Sequence, residues 1–176
     1  MKKRALLLLW LTLFLGTTCG LARAGSIRVY FSPHGGCTDA ILWELNQAKS
    51  EILLQAYSFT SQPIALALIR AQKRGVKISA VLDKSNRGRK YSAATFLKNM
   101  GIPVFIDANH AIAHNKIMII DNRVVITGSF NFTKQAENKN AENLLILDDV
   151  PDLTRAYREN FQSHLRHAVS YVGLED

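Results

Sequence analysis

The sequence predicts an α/β fold: one mixed, mainly parallel β-sheet flanked by helices, in a single domain. Three observations predict it. Short runs rich in Ile, Val and Leu alternate with segments whose apolar residues recur every three or four positions, as strands and helices do. Beyond residue 115 that alternation gives way to apolar runs separated by turn residues, which adds hairpin strands to the sheet. The chain has 176 residues, 48% of them hydrophobic, enough for one domain with a real core and too few for two ordinary ones.

Each element has its own signal. Residues 27–31 alternate in character and predict a short strand. Residues 38–49 carry Ile41, Leu42, Leu45 and Ala48 at helical spacing, with Thr38 as a candidate N-cap. Residues 52–59 predict a buried strand. Residues 64–73 predict a helix that Gly75 would stop. A strand follows over 76–82, a helix over 93–100 ended by Gly101, and a strand over 102–106. Residues 116–120 and 124–126 are two apolar strands joined by Asp121-Asn122-Arg123, which is turn chemistry. A further strand is expected over 144–147. Residues 152–167 form an amphipathic helix with Leu153, Ala156, Tyr157, Phe161 and Leu165 on one face.

Residues 1–24 read as a leader outside the domain, which spans 25–176. Lys2, Lys3 and Arg4 precede an apolar run over 5–15, and Ala22-Arg23-Ala24 places small residues at both positions a signal peptidase inspects. Cleavage after Ala24 is expected, with a periplasmic or secreted bacterial protein as the result. The alternative is an uncleaved N-terminal anchor, although the run is shorter than the ~20 residues that span a bilayer. The leader holds four of the 22 basic residues and none of the 14 acidic ones, leaving 18 against 14 in the rest of the chain. That mild excess suits an anionic substrate without demanding one. At 20% charged residues the composition excludes disorder as the starting assumption. Cleavage would also remove Cys19 and leave Cys37 unpaired, to be read as a small buried residue.

Residues 114–131 carry the chemistry. Their polar positions spell HxKxxxxDxxxxxxGSxN. Period-2 geometry puts His114 and Lys116 on one face of a strand, at its entrance. An antiparallel hairpin returns Gly128, Ser129 and Asn131 toward that entrance. Histidine beside a fixed cation and neutral donors suits a bound phosphate. Histidine can then act as nucleophile or as general acid. There is no carboxylate cluster for magnesium and no Cys/His set with zinc spacing, so no metal or other cofactor is expected. A second group of cations, Lys84, Arg87, Arg89 and Lys90, lies in a loop after the strand over 76–82. Loops at the carboxyl ends of parallel strands are where α/β sheets usually place ligands.

His114, Lys116, Asp121, Gly128, Ser129 and Asn131, with Phe132-Thr133-Lys134 and Asn140-Ala141-Glu142-Asn143, resemble the HKD signature of the phospholipase D superfamily. The length, the leader and the single motif resemble its small bacterial secreted or periplasmic endonucleases. The resemblance implies a phospholipase D-like fold and a phosphohistidine intermediate on His114. It implies phosphate binding by Lys116, Ser129 and Asn131, and a hydrogen bond from the second nitrogen of His114 to Glu142. Asp121 belongs to the motif, yet its place at the hairpin turn, a strand's length from His114, argues for a structural role, shared with Gly128.

That chemistry needs two imidazoles, and no second HxK exists. His34, His110, His164 and His167 lack the following lysine and the GSxN partner. His34 and His110 are expected in loops, and His164 and His167 on the solvent side of the last helix. A homodimer would supply the second His114. The expected activity is metal-independent, non-specific cleavage of DNA or RNA, with no stable membrane association after the leader is removed. The alternative is a lipid phosphodiesterase or transphosphatidylase of the phospholipase D type.

Overall fold

A computed structural model describes residues 25–88 and 92–173. The leader, with its cleavage site and Cys19, lies outside the described residues, as do Arg89 and Lys90. In chain order the elements are β1 (Ser26–Ser32), α1 (Cys37–Gln47), β2 (Glu51–Ala56), α2 (Gln62–Lys73) and β3 (Lys77–Asp83). A 3-10 turn (Lys84–Asn86) precedes α3 (Ala93–Asn99) and β4 (Val104–Asp107). Then come β5 (Lys116–Ile120), β6 (Val124–Gly128), α4 (Lys134–Asn138), β7 (Glu142–Asp148), α5 (Pro151–His167) and β8 (Val169–Ser170).

The eight strands form one sheet in the order β1-β7-β6-β5-β2-β3-β4-β8. The sheet is mixed, as expected, but it is not mainly parallel. Among the named strands parallel pairing is confined to β2–β3 and β3–β4, the strands linked by helical crossovers; an isolated parallel bridge joins Phe59 and Phe132. The tight β5–β6 turn imposes antiparallel pairing, and β7, reached through the segment that holds α4, also lies antiparallel to β6. β1 does not lie beside β2; it closes the far edge against β7, with Ile27 opposite Leu147 and Ser32 opposite Glu142.

Side-chain alternation divides the interior into two layers. Ile52, Leu54, Met118, Ile120, Ile126 and Ile146 face α1, α2 and α3 in the larger core. Leu53, Val81, Ile117, Ile119 and Val125 face α5, which contributes Phe161 with Leu153, Tyr157 and Leu165. Cys37 is fully buried, and burial, aided by the nearby Glu137 carboxylate, pushes its thiol up to about 11. α5 does not reach the β1 edge. Ile27, Val29 and Phe31 share its face of the sheet, yet they remain 64%, 51% and 63% exposed.

Two elements carry too little signal for sequence reading. α4 is five residues, Lys-Gln-Ala-Glu-Asn, capped by Thr133, whose Oγ1 accepts from Ala136 N at 3.0 Å. β8 is two residues paired with the edge of β4. Among the described residues no helix is long and apolar enough to cross a membrane.

Candidate active site

β5 begins at Lys116 and runs against β2, where Ala56 faces it. The β5–β6 ladder ends at Met118 and Ile126; beyond it β6 continues against β7, with Gly128 opposite Leu144. The two strands therefore part company at the end of the hairpin that carries the motif. Gly128 sits there at φ 140°, and a Cβ on it would come within 2.3 Å of Asn143 O. Glycine alone fits, and the close approach lets Ser129 N and Phe130 N both donate to Asn143 O, at 3.1 and 3.2 Å.

His114 is exposed and Lys116 is buried. Lys116 Nζ donates to His114 O at 2.7 Å and meets His114 Nδ1 at 3.0 Å. The Tyr57 ring packs on both: its centroid is 4.5 Å from that of His114 and 5.1 Å from Lys116 Nζ, a cation–π contact that partly offsets desolvation. Burial still pushes the Lys116 ammonium down to about 8, with Glu142 acting in the opposite direction.

Asn131 lies between Phe130 and Phe132, both fully buried. Phe132 O accepts from Thr60 N and Ser61 N, at 3.0 and 2.9 Å, which ties this segment to the exit of β2. Asn131 lines a cavity of about 370 Å³ together with Tyr57, Thr60, Lys134 and Asn140. Its Oδ1 is buried without a hydrogen-bond partner; the Nδ2 end of the amide is the one that could donate to a phosphate oxygen. Ser129 Oγ accepts from Asn143 N at 3.0 Å. The Glu142 carboxylate accepts from Asn140 Nδ2 at 2.9 Å; among the described residues its partner is this amide and not the His114 ring.

Asp121 stands at the opposite end of the hairpin. Asp121 and Asn122 have φ of 53° and 51°, and Arg123 N donates to Ile120 O at 3.0 Å, a two-residue turn of type I′. Asp121 Oδ1 accepts from Ser50 N, Ser50 Oγ and Glu51 N, and Oδ2 from Lys49 N, at 2.7–3.0 Å. Burial would raise its pKa, but these bonds outweigh it and hold the carboxyl below its usual range.

The basic loop starts beside the site. Asn86 Nδ2 donates to Tyr57 O at 2.7 Å, and Lys84 Nζ donates to His110 O at 3.0 Å. Asp83, at the carboxyl end of β3, was not singled out by the sequence. Buried, it accepts from Ser85 N and from Ala113 N, each at 2.8 Å, and so fixes the loop and the residue before His114 together. Its only sequence signal is its place at the end of a parallel strand.

The remaining histidines require a correction. His34 is exposed in the loop after β1, at φ 60°. His164 is not on a solvent face but buried, with Nδ1 2.6 Å from Asp107 Oδ2. His167 Nε2 lies 3.3 Å from the same oxygen, and His110 Nδ1 lies 3.0 Å from it. Asp107 is fully buried and attracts these polar rings, whereas the helix periodicity weighed only apolar residues. The paired spacings Asp107-x-x-His110 and His164-x-x-His167 were the available signal.

An exposed imidazole backed by a buried cation, with an asparagine lining the adjoining cavity, defines a site for phosphoester chemistry. A family model described as "Cardiolipin synthase, PLD-like domain" matches residues 41–165. The phospholipase D of Rickettsia typhi is 44% identical over 138 residues, covering 78% of this chain and 67% of its own length. The mitochondrial cardiolipin hydrolase of Homo sapiens is 32% identical over 148 residues, 84% of this chain and 54% of its own. The crystal structure of Nuc, a phospholipase D family member from Salmonella typhimurium, superimposes with a TM-score of 0.81 at 39% identity, over 84% of this chain and 99% of that one. The chain belongs to the phospholipase D superfamily and is a phosphodiesterase by class.

Proposed function

We propose that the chain is a metal-independent endonuclease that cleaves DNA or RNA with little sequence preference through a phosphohistidine on His114. The observation that carries the nucleic-acid reading is the bond between Asn86 and Tyr57 O. It starts the Lys84–Lys90 loop beside the ring that packs on His114. Cations there would contact phosphates flanking the one being cleaved, giving affinity without reading bases.

The two steps divide between two imidazoles. A charged Lys116 has only hydrogens to offer. The His114 Nδ1 it meets therefore presents its lone pair, and a neutral ring carries its proton on Nε2. That neutral form is not the acid: the proton donor is the imidazolium, protonated on both nitrogens, with Lys116 bonded to His114 O alone, which it already reaches at 2.7 Å. The attacking form needs the proton on Nδ1 and an acceptor for it, the role proposed for Glu142 once it releases Asn140. In a homodimer one copy can hold each form. Nε2 of one His114 attacks phosphorus while the P–O bond to the leaving oxygen breaks. The partner subunit's His114 protonates that oxygen, then takes a proton from water as water cleaves the P–N bond. Lys116, Ser129 and Asn131 hold the non-bridging oxygens, while Asp121 and Gly128 keep the hairpin in shape. Export to the periplasm or medium, with the leader cleaved after Ala24, completes the proposal.

A second reading, lipid phosphodiesterase, is favoured by the names of the relatives, phospholipase D and cardiolipin hydrolase. The protein without its leader, incubated with plasmid, RNA, and vesicles of phosphatidylcholine or cardiolipin in the presence of EDTA, separates the two. Nicked plasmid or shortened RNA supports the nuclease; release of choline or of phosphatidic acid with intact nucleic acid replaces it. Arg87→Ala with Arg89→Ala should weaken binding of all nucleic acids alike and flatten its salt dependence. An equal loss on a small soluble phosphodiester would remove the loop from substrate binding.

A further inference from the structure

We infer that Asp107, His110, His164 and His167 form a binding site for one divalent transition-metal ion of the zinc class, separate from the phosphoester site. Their four ligand atoms lie within 4.8 Å of one another. Tetrahedral zinc, at about 2.0–2.1 Å from each donor, needs its donors roughly 3.3 Å apart. Asp107 Oδ2 already has His164 Nδ1 at 2.6 Å, His110 Nδ1 at 3.0 Å and His167 Nε2 at 3.3 Å. Adjustments of a fraction of an ångström to an ångström, within the reach of side-chain rotation, would seat the ion.

Hydrogen bonding alone satisfies this cluster poorly. Three ring nitrogens converge on one carboxylate oxygen, which has two lone pairs in the plane, and His110 Nδ1 alone also reaches the other oxygen, at 3.2 Å. His167 Nε2 is buried without a hydrogen bond of acceptable geometry. A cation at the point of convergence would take a lone pair from each ring and the charge of the carboxylate. The other carboxylate oxygen accepts from Asn109 N at 3.0 Å, an outer-shell contact of the kind that orients metal ligands.

The ligands are well placed for a clamp. Asp107 ends β4, His110 lies in the segment leading to His114, and His164 and His167 share one face of the last turn of α5. Four protein ligands leave zinc no open position, as in structural sites and unlike catalytic ones. The ion would fasten the end of α5 to the carboxyl edge of the sheet and anchor the approach to His114. It would not enter the cleavage steps.

The test uses protein stripped with a chelator, then given cobalt(II) or zinc(II) and passed through gel filtration. One equivalent per chain, visible bands of tetrahedral cobalt and a raised melting temperature are expected. Loss of even an outer-shell partner weakens metal sites by about 10–100-fold, so His110→Ala and His167→Ala should each weaken cobalt binding by at least about tenfold. These are the least buried of the three rings and the substitutions least able to unfold the chain; circular dichroism checks the fold. His34→Ala should bind as wild type does. No retained metal, or the same cobalt bands in both ligand variants, overturns the site.

Discussion

Lys116 is 5% exposed, and burial lowers its pKa from 10.5 to about 8. A cation there is useful to a phosphate and costly to the fold. Below pH 8 the charged, buried ammonium opposes folding by about 3 kcal/mol, at 1.36 kcal/mol per pKa unit. Between about 8 and 10.5 the unfolded chain holds a proton there that the folded chain has lost, so stability rises with pH across that window. Lys116→Met should therefore melt no lower than wild type at neutral pH, and wild type should gain on it as pH rises through the window. Thermal scans of both proteins against pH check this; a variant that melts well below wild type at neutral pH refutes it. Activity has the opposite dependence. As Lys116 loses its proton, kcat/KM should fall with an apparent pKa near 8. The kcat profile should fall at higher pH, because a bound phosphate holds the ammonium charged.

At the scale of elements, the hairpin β5–β6 separates chemistry from support. His114 and Lys116 stand at its open end, while Asp121 at its turn fastens residues 49–51, the entry to β2, with four accepted bonds. Asp121→Ala leaves those donors without their acceptor and should cost roughly 2–4 kcal/mol of stability. Well below the lowered melting temperature, kcat should stay within a few-fold of wild type. Denaturant titration beside initial rates tests both, and a hundredfold loss of kcat in a fully folded sample would make Asp121 catalytic. The turn itself was legible because Asp-Asn at φ > 0 is what a type I′ turn requires. So were β1 to β7 and the long helices, whose periodicity reports burial directly. Sheet order was not: β1 pairs with β7, a contact between residues far apart in sequence that no local pattern encodes. Nor was the environment of the histidines legible. A buried Asp107 makes polar rings on α5 face inward, and binary patterning assigns such rings to solvent. Within the site, His114, Lys116 and Asn131 were readable from their spacing, whereas Tyr57 and Asp83 act through where β2 and β3 end.

For the molecule as a whole, one His114 per chain and an uncovered apolar edge suggest the same assembly. Ile27, Val29 and Phe31 lie on the face that α5 leaves open. The patch reaches the site, because Phe31 pairs with Asn143 and Ser32 with Glu142. A two-fold axis beside it would bury both patches and bring two copies of His114 toward one phosphate, as a self-complementary interface requires. Val29→Lys with Phe31→Lys sets like charges across that axis. The variant should sediment as a monomer, keep its melting transition, and lose nearly all turnover although no proposed catalytic residue has changed. Mixing tests the shared site without disturbing the interface. When wild type is exchanged with increasing His114→Ala, activity per wild-type chain should fall in proportion to the share of wild-type chains paired with the variant. Activity that stays constant per wild-type chain would mean each copy works alone. The second proton transfer would then have to come from a group within one chain, with His34, exposed in the loop after Ser32, the first to substitute.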